Sequence, residues 1–301
     1  MQAQCEAILQ EIEDDLLKGK QLRLFVKRED LIHPTISGNK WRKLKYNLQM
    51  AIELGHNQVL TFGGAYSNHI YATAAAVHSI GLKSIGIIRG ERIDPLNSTL
   101  EFAKGHGMDL HFVSREDYRK KNESTFIEKL NHQFGNFYQI PEGGTNQLAV
   151  KGCAEIIDDI TIAYDYICSS VGTGGTLAGL VAGSKGKAEI IGFSALKGLF
   201  LENVVQSLLS ESGALFNNWR INHDYHFGGY AKINPELIHF IMEFKKRNHI
   251  QLDPIYTGKM MYGIYDLIKS DFFTSGQTII ALHTGGLQGI AGINKRYNLD
   301  L

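Results

Sequence analysis

Short apolar runs and longer helix-period segments alternate along most of this chain. Between the runs, apolar residues recur every three or four positions, as they do over residues 39–54, which is typical of amphipathic helices. Repeated strand and helix alternation predicts βαβ units, and therefore an α/β fold of two parallel-sheet domains with right-handed crossovers. The seven runs short and apolar enough to be buried parallel strands are residues 58–62, 84–89, 109–113, 137–140, 165–169, 189–193 and 278–282.

Charge and length exclude several classes of protein. The chain has 301 residues, enough for two domains or one large α/β unit. Its 31 Lys and Arg balance 31 Asp and Glu, so no global basic field favours nucleic acid or an anionic membrane. No apolar stretch approaches the ~18 residues of a membrane span. A small neutral or zwitterionic partner is the expectation, without nucleic acid or membrane.

The cysteines and the first residues of the chain indicate a cytoplasmic protein. Cys5, Cys153 and Cys168 are an odd number at wide spacing, which argues against a disulfide framework and against a CxxC site. The first 22 residues carry acidic side chains where a secretory signal would carry a basic end and an apolar run. No histidine pattern has the spacing of a metal site, and we predict no metal.

Four loops that follow predicted strands are rich in Gly, Ser, Thr and Asn, at residues 63–69, 142–146, 169–176 and 283–286. In parallel α/β sheets, ligands bind where such loops lead into helices. In the third loop, SSVGTGGT, glycines let successive N–H groups converge and Thr173 and Thr176 add hydroxyl groups, which suits a phosphate. The loop lacks the lysine of a nucleotide P-loop. A tight turn that only packs a helix onto a sheet stays an open alternative.

Lys40 lies in the octet SGNKWRKL, residues 37–44, where a Gly-Asn turn signal precedes a helical pattern. A helix start disfavours an ammonium group. It therefore favours the neutral amine that a Schiff-base lysine needs. A solvated surface lysine is the alternative. A phosphate loop without a nucleoside signature, together with such a lysine, indicates pyridoxal 5'-phosphate as the cofactor.

Five segments resemble the successive motifs of the 1-aminocyclopropane-1-carboxylate deaminase and D-cysteine desulfhydrase family, at residues 27–44, 63–76, 141–152, 169–180 and 252–263. These are fold type II pyridoxal phosphate enzymes, with a fold like that of the tryptophan synthase β subunit. The resemblance implies a large cofactor-binding domain of residues 1–47 and 150–301, a small domain of residues 48–149, a homodimer, and a small amino-acid substrate.

The same resemblance implies roles for individual residues. Lys40 would be the Schiff-base lysine, and Asn68 would bond the phenolic oxygen of the cofactor. Ser67 would lie near the substrate carboxylate or act in proton transfer, and Tyr230 and Tyr256 would be the two active-site tyrosines. The cofactor phosphate would be held by Gly172, Thr173, Gly174, Gly175 and Thr176.

Departures from the family pattern bear on the substrate. Thr257 follows Tyr256 where deaminase-like members have glutamate, and Thr284 resembles the desulfhydrase-like branch. A hydroxyl partner leaves the pyridine nitrogen neutral, which suits β-elimination from a D-cysteine-like substrate to pyruvate and ammonia. Tyr66 and Tyr71 stand where the family commonly has Gln and Arg, which changes the expected recognition of the substrate carboxylate.

Several functions remain open on sequence grounds. We expect a lyase, or a deaminase of the hydrolase class that gives 2-oxobutyrate and ammonia from the cyclopropane substrate. A β-replacement synthase and a non-catalytic binding protein are the rivals. Ser194 in GFSAL lacks the second glycine of a hydrolase nucleophile elbow, so serine hydrolysis is not expected.

Overall fold

The computed structural model of the protein describes residues 6–301, so Cys5 lies outside the described part. A six-stranded sheet has the order β1-β2-β10-β7-β8-β9, and a four-stranded sheet has the order β5-β4-β3-β6. All pairings are parallel except that of the edge strand β1 with β2. The strands are β1 (Leu9–Ile12), β2 (Arg23–Lys27), β3 (Gln58–Gly64), β4 (Lys83–Arg89), β5 (Met108–Val113), β6 (Tyr138–Ile140), β7 (Tyr166–Val171), β8 (Glu189–Ser194), β9 (Trp219–Asn222) and β10 (Thr278–Leu282).

Helices cover both sheets, as expected for parallel α/β units. They are α1 (Asp15–Lys20), α2 (Asn39–Glu53), α3 (Asn68–Ser79), α4 (Ser98–Gly105), α5 (Arg115–Arg119), α6 (Ser124–Phe134), α7 (Gln147–Asp158), α8 (Gly175–Ser184), α9 (Leu201–Glu211), α10 (Pro235–Asn248), α11 (Thr257–Lys269) and α12 (Ile290–Tyr297). The predicted α/β class with two parallel sheets is confirmed.

All seven predicted strands are present, with ends that differ by at most two residues. The sequence pattern missed β1, β2 and β9, which are short and mix charged with apolar residues. These three strands lie at or next to the two edges of the six-stranded sheet. Their pairing therefore depends on neighbours from distant parts of the chain rather than on a long apolar run.

Close helix packing fixes α2, which carries Lys40. Gly152 of α7 lies against the carbonyl oxygen of Arg42, so that a Cβ there would collide with it. Next to this contact, the Arg42 guanidinium donates two hydrogen bonds of 2.9 Å to the buried carboxylate of Glu29. Since breaking a buried ion pair is strongly destabilising, the pair anchors α2 to the segment after β2.

The start of α2 is set by Gly38, whose φ of +66° is a left-handed value that L side chains rarely adopt. A Cβ on Gly38 would overlap the carbonyl oxygen of Thr284, just after β10. Backbone therefore approaches backbone here, and this contact places the first turn of α2 at the carboxyl end of the large sheet.

The four-stranded sheet lies wholly between residues 58 and 140. We propose that it forms the core of the smaller domain, with boundaries near residues 48 and 149, and that the six-stranded sheet forms the core of the larger. Within residues 6–301, no helix has the length and apolar character needed to cross a membrane.

Candidate active site

A cavity of about 740 Å³ lies where loops from both sheets meet. Its lining includes parts of the four polar loops that the sequence singled out, after β3, β6, β7 and β10, together with the start of α2. Ligands are expected at the carboxyl ends of parallel strands. The cavity is therefore the candidate site on grounds of topology as well as size.

Lys40 is the second residue of α2 and lines the cavity. Its Nζ donates a 2.9 Å hydrogen bond to Oδ1 of Asn39, whose Nδ2 donates in turn to Oγ1 of Thr176 at 2.9 Å. Burial, and secondly the charge of Lys43, lower the pKa of Lys40 to about 7, although Cys153 and Asp253 oppose the shift. Unprotonated amine is therefore present near neutral pH, as nucleophilic attack on an aldehyde requires.

The loop after β7 has the form of an anion cradle. Gly172, Thr173, Gly174 and Thr176 line the cavity, whereas the side-chain position of Gly175 faces Thr145 and lies outside the lining. Gly174 has a φ of +77° and precedes α8 without any side-chain cap. The first N–H groups of α8 are therefore free to bind an anion.

Lys43 is a cation at this cradle that the sequence reasoning missed. It is 2% exposed, and its Nζ lies 3.2 Å from the carbonyl oxygen of Gly143, 3.0 Å from Oγ1 of Thr145 and 3.3 Å from Oγ1 of Thr173. Burial lowers its pKa, and Lys43 forms no ion pair with a carboxylate of residues 6–301. A buried ammonium with only neutral partners is costly, so an anion bound at this position would stabilise it. Its position one helical turn after Lys40 was the available signal.

The start of α3 supplies Ser67 and Asn68, and both line the cavity. The Ser67 hydroxyl oxygen accepts from the backbone N–H groups of His69 and Ile70 at 3.2 and 3.3 Å, while its own hydrogen can be donated to a ligand. Oδ1 of Asn68 accepts from Nε2 of Gln288 at 2.8 Å. Gln288, a residue that the sequence reasoning missed, thereby leaves the Asn68 amide N–H groups to donate.

Tyr230 and Tyr256 both line the cavity, with their rings 6.2 Å apart in an edge-to-face arrangement. Burial raises the pKa of each phenol, so both hold their protons at neutral pH. The loop that carries Tyr230 is tied down by buried Lys259, whose Nζ donates to the carbonyl oxygens of His226 and Gly229 at 2.8 Å each.

The structure corrects the expectation for Thr257. Its hydroxyl donates to Oδ1 of Asp253 at 2.7 Å, the residue is fully buried, and it is not part of the cavity lining. The reason is local, because Asp253 and Thr257 bond each other at the start of α11. Thr284 does line the cavity, and its hydroxyl lies 3.3 Å from that of Ser170.

The two tyrosines that depart from the family pattern have different positions. Tyr66 lines the cavity and is 42% exposed. Tyr71 does not line it, since its ring stacks on Phe102 at a centroid distance of 3.6 Å. Only Tyr66 is therefore placed to alter substrate contacts. Among residues 6–301, no cluster of His, Cys, Asp and Glu could hold a metal ion.

The chain is similar to known proteins in both sequence and fold. Residues 12–285 match the profile of the family described as pyridoxal-phosphate dependent enzyme. A protein of Pyrococcus abyssi, provisionally named a 1-aminocyclopropane-1-carboxylate deaminase, is 31% identical, and the match covers 89% of this chain and 85% of that protein. The bifunctional D-cysteine desulfhydrase/1-aminocyclopropane-1-carboxylate deaminase of Arabidopsis thaliana is 32% identical, over 89% of this chain and 73% of the relative. A crystal structure described as an ACC deaminase homologue superposes with a TM-score of 0.84 at 28% identity, over 99% of this chain and 95% of that chain.

Proposed function

The chain belongs to the family of pyridoxal-phosphate dependent enzymes, and we propose that it catalyses β-elimination on a small D-cysteine-like amino acid, giving pyruvate and ammonia. Its closer relatives are named for deaminase and desulfhydrase activities. The expectation of a hydrolase, which the sequence left open, is therefore wrong, and the lyase and deaminase classes remain.

The residues of the cavity fit the cofactor. The uncapped start of α8 and the buried ammonium of Lys43 together suit a phosphate group. Burial lowers the pKa of Lys40 to about 7, which suits an amine that reacts with the cofactor aldehyde. Asn68 offers amide N–H groups as hydrogen-bond donors. When bound, pyridoxal phosphate supplies an electron sink for the pair left at the substrate α-carbon.

The observation that carries β-elimination is the pair of neighbouring hydroxyl groups, of Ser170 and Thr284, in the cavity lining. Among the described residues that line the cavity, Glu142 is the one with a carboxylate, and it is 3.4 Å from Lys121 on the side of the small sheet. Ser170 lies near the end of β7 and Thr284 follows β10, and their hydroxyl oxygens are 3.3 Å apart. A hydroxyl leaves a pyridine nitrogen neutral, and a neutral ring suffices where a good leaving group helps the reaction.

The chain's own groups provide the remaining steps. The Lys40 amine can take the proton from the substrate α-carbon at neutral pH, since its pKa lies near 7 because of burial. Tyr256 remains protonated because burial raises its pKa, so its hydroxyl can donate a proton to a departing thiolate. The Ser67 hydroxyl can donate to the substrate carboxylate. Tyr230 lines the cavity beside Tyr256, with the two rings 6.2 Å apart.

The test is a substrate panel on purified, cofactor-loaded protein. D-Cysteine, L-cysteine, β-chloro-D-alanine and 1-aminocyclopropane-1-carboxylate are each scored for pyruvate or 2-oxobutyrate. We expect pyruvate from the D-substrates and little or no 2-oxobutyrate. Faster formation of 2-oxobutyrate than of pyruvate would make the protein a cyclopropane deaminase instead.

Matched controls connect the activity to the site. Borohydride should fix the cofactor on the peptide that contains Lys40, and Lys40→Ala should abolish both the covalent link and turnover. Labelling of another lysine would remove Lys40 from its role. A new amino acid formed on addition of a thiol would indicate β-replacement, and absence of cofactor absorbance would indicate a binding protein. The homodimer and the cytoplasmic location stay predictions, and light scattering can test the first.

A further inference from the structure

Two cations, Arg89 and Lys121, stand in the wall of the cavity next to the four-stranded sheet. Arg89 is the last residue of β4, and its Cζ lies 5.5 Å from the ring centroid of Tyr118. Lys121 follows α5, and its Nζ lies 5.1 Å from the same ring. The buried ring of Tyr118 therefore holds both cations at one place by cation–π contact, which supplies no negative charge.

The charges at this wall do not balance. Glu142 lies 3.4 Å from Nζ of Lys121, whereas Arg89, an exposed residue at the end of β4, forms no ion pair with a carboxylate of residues 6–301. The cavity's two other lysines, Lys40 and Lys43, are engaged by the proposed cofactor. Two cations and one carboxylate leave one positive charge at the wall that the cofactor does not use.

The unused charge faces the reacting region. Arg89, Tyr230 and Tyr256 all line the same cavity, and the charge of Arg89 opposes the rise that burial produces in the pKa of Tyr230. The substrate α-carboxylate already has a donor at the start of α3, the hydroxyl of Ser67, which lines the cavity. A second anionic group on the substrate would balance the remaining positive charge of Arg89 and Lys121.

We infer that Arg89 and Lys121 form a second anion subsite, which binds a negatively charged group at the far end of the substrate side chain. The inference rests on the proposed function and names its substrate class: amino acids whose β-leaving group carries an anion. For an O-acylserine, a proton leaves the α-carbon, the Cβ–O bond breaks, and both bonding electrons depart with the carboxylate. The enamine product takes up water and gives pyruvate and an ammonium ion.

The kinetic test compares two substrates with the same leaving-group chemistry. The leaving group is acetate for O-acetylserine and succinate for O-succinylserine, and succinate carries a second carboxylate. Both enantiomers of each substrate are measured. We expect kcat/KM to favour the succinyl compound in the wild type. Arg89→Met should reduce this preference roughly 10- to 100-fold, as loss of a charged hydrogen bond predicts. Equal losses for both substrates would overturn the subsite, because they would place Arg89 at the α-carboxylate.

A binding test remains informative if elimination is absent. Calorimetry on the cofactor-loaded protein compares D-glutamate with D-alanine, which differ in the distal carboxylate and lack a β-leaving group. Tighter binding of D-glutamate, reduced by Arg89→Met and by Lys121→Met, supports the subsite whatever the turnover. Equal affinity for the two amino acids in the wild type refutes it. Arg92→Met removes the same charge from an exposed position outside the cavity lining and should leave both affinities unchanged.

Discussion

Replacing Lys40 by methionine should stabilise the cofactor-free protein at neutral pH. Burial is the main reason that the pKa of this amine falls from its ordinary value of 10.5 to about 7. A protonated Lys40 therefore costs folding free energy, which a methionine of similar length does not. The pKa difference corresponds to about 5 kcal/mol, at about 1.36 kcal/mol for each pH unit. Since the amine is partly accessible from the open cavity, water reduces this value, and we expect a gain of about 1–3 kcal/mol at pH 7.

The gain should depend on pH in a defined direction. Because the folded pKa of Lys40 lies below the unfolded value, the penalty is complete below pH 7 and disappears as the pH rises towards 10.5. Burial makes the folded protein lose this proton first, so the wild type should approach the variant in stability between pH 7 and pH 9.

Urea unfolding of the cofactor-free proteins at several pH values measures this difference. Lys187→Met is the matched control, because Lys187 is exposed and its replacement should change the free energy of unfolding by less than about 0.5 kcal/mol. A Lys40→Met gain that stays constant from pH 6 to pH 9, or a variant less stable than the wild type at pH 6, would refute the reasoning.

Three further predictions concern groups around the cavity. Lys43→Met should weaken cofactor binding at least tenfold, because a charged hydrogen bond contributes about 1.5–3 kcal/mol; unchanged affinity in a fluorescence titration would remove Lys43 from the phosphate site. Thr257→Val should lower the free energy of unfolding by about 1–3 kcal/mol, whereas Thr284→Val should mainly lower kcat; the reverse pattern would restore Thr257 as the ring partner. Lys259→Met should lower kcat/KM more than it lowers cofactor affinity, because it releases the loop of Tyr230; equal losses in both would indicate general damage.

Local sequence patterns predicted the interior strands and the position of α2 well. Strand β10 has the bounds that the pattern gave, and α2 begins at the predicted residue 39 and ends one residue before the predicted residue 54, since a buried strand needs a continuous apolar run and an amphipathic helix needs one apolar face. Strand β2 shows the limit of this reasoning. A charged residue at the end of a strand, such as Lys27, is usually exposed to solvent. Lys27 is instead fully buried, and its Nζ donates to the carbonyl oxygen of Ala7 at 2.7 Å. Only the folded neighbours reveal such a partner.

The candidate site shows a similar division. The motifs placed Lys40, Asn68 and the loop after β7 at one cavity, because strand ends and loops fix backbone position. The direction of a side chain could not be predicted from its being next to a site residue in the sequence. Thr257 follows a cavity tyrosine, yet it turns towards Asp253 to complete the start of α11. The surplus charge of Arg89 was also hidden, since it depends on which acids the fold brings near.

The pairing of β10 with β2 has a consequence for the order of folding during synthesis. Residues 23–27 lie beside residues 278–282, so the centre of the six-stranded sheet cannot close until nearly the whole chain has left the ribosome. The four-stranded sheet, between residues 58 and 140, needs no later segment for its pairing. Because domains form as their residues become available, the smaller sheet can form first, while β2 waits unpaired on one side. A nascent chain stopped before residue 278 should therefore be protease-resistant in the smaller sheet and open in the larger one.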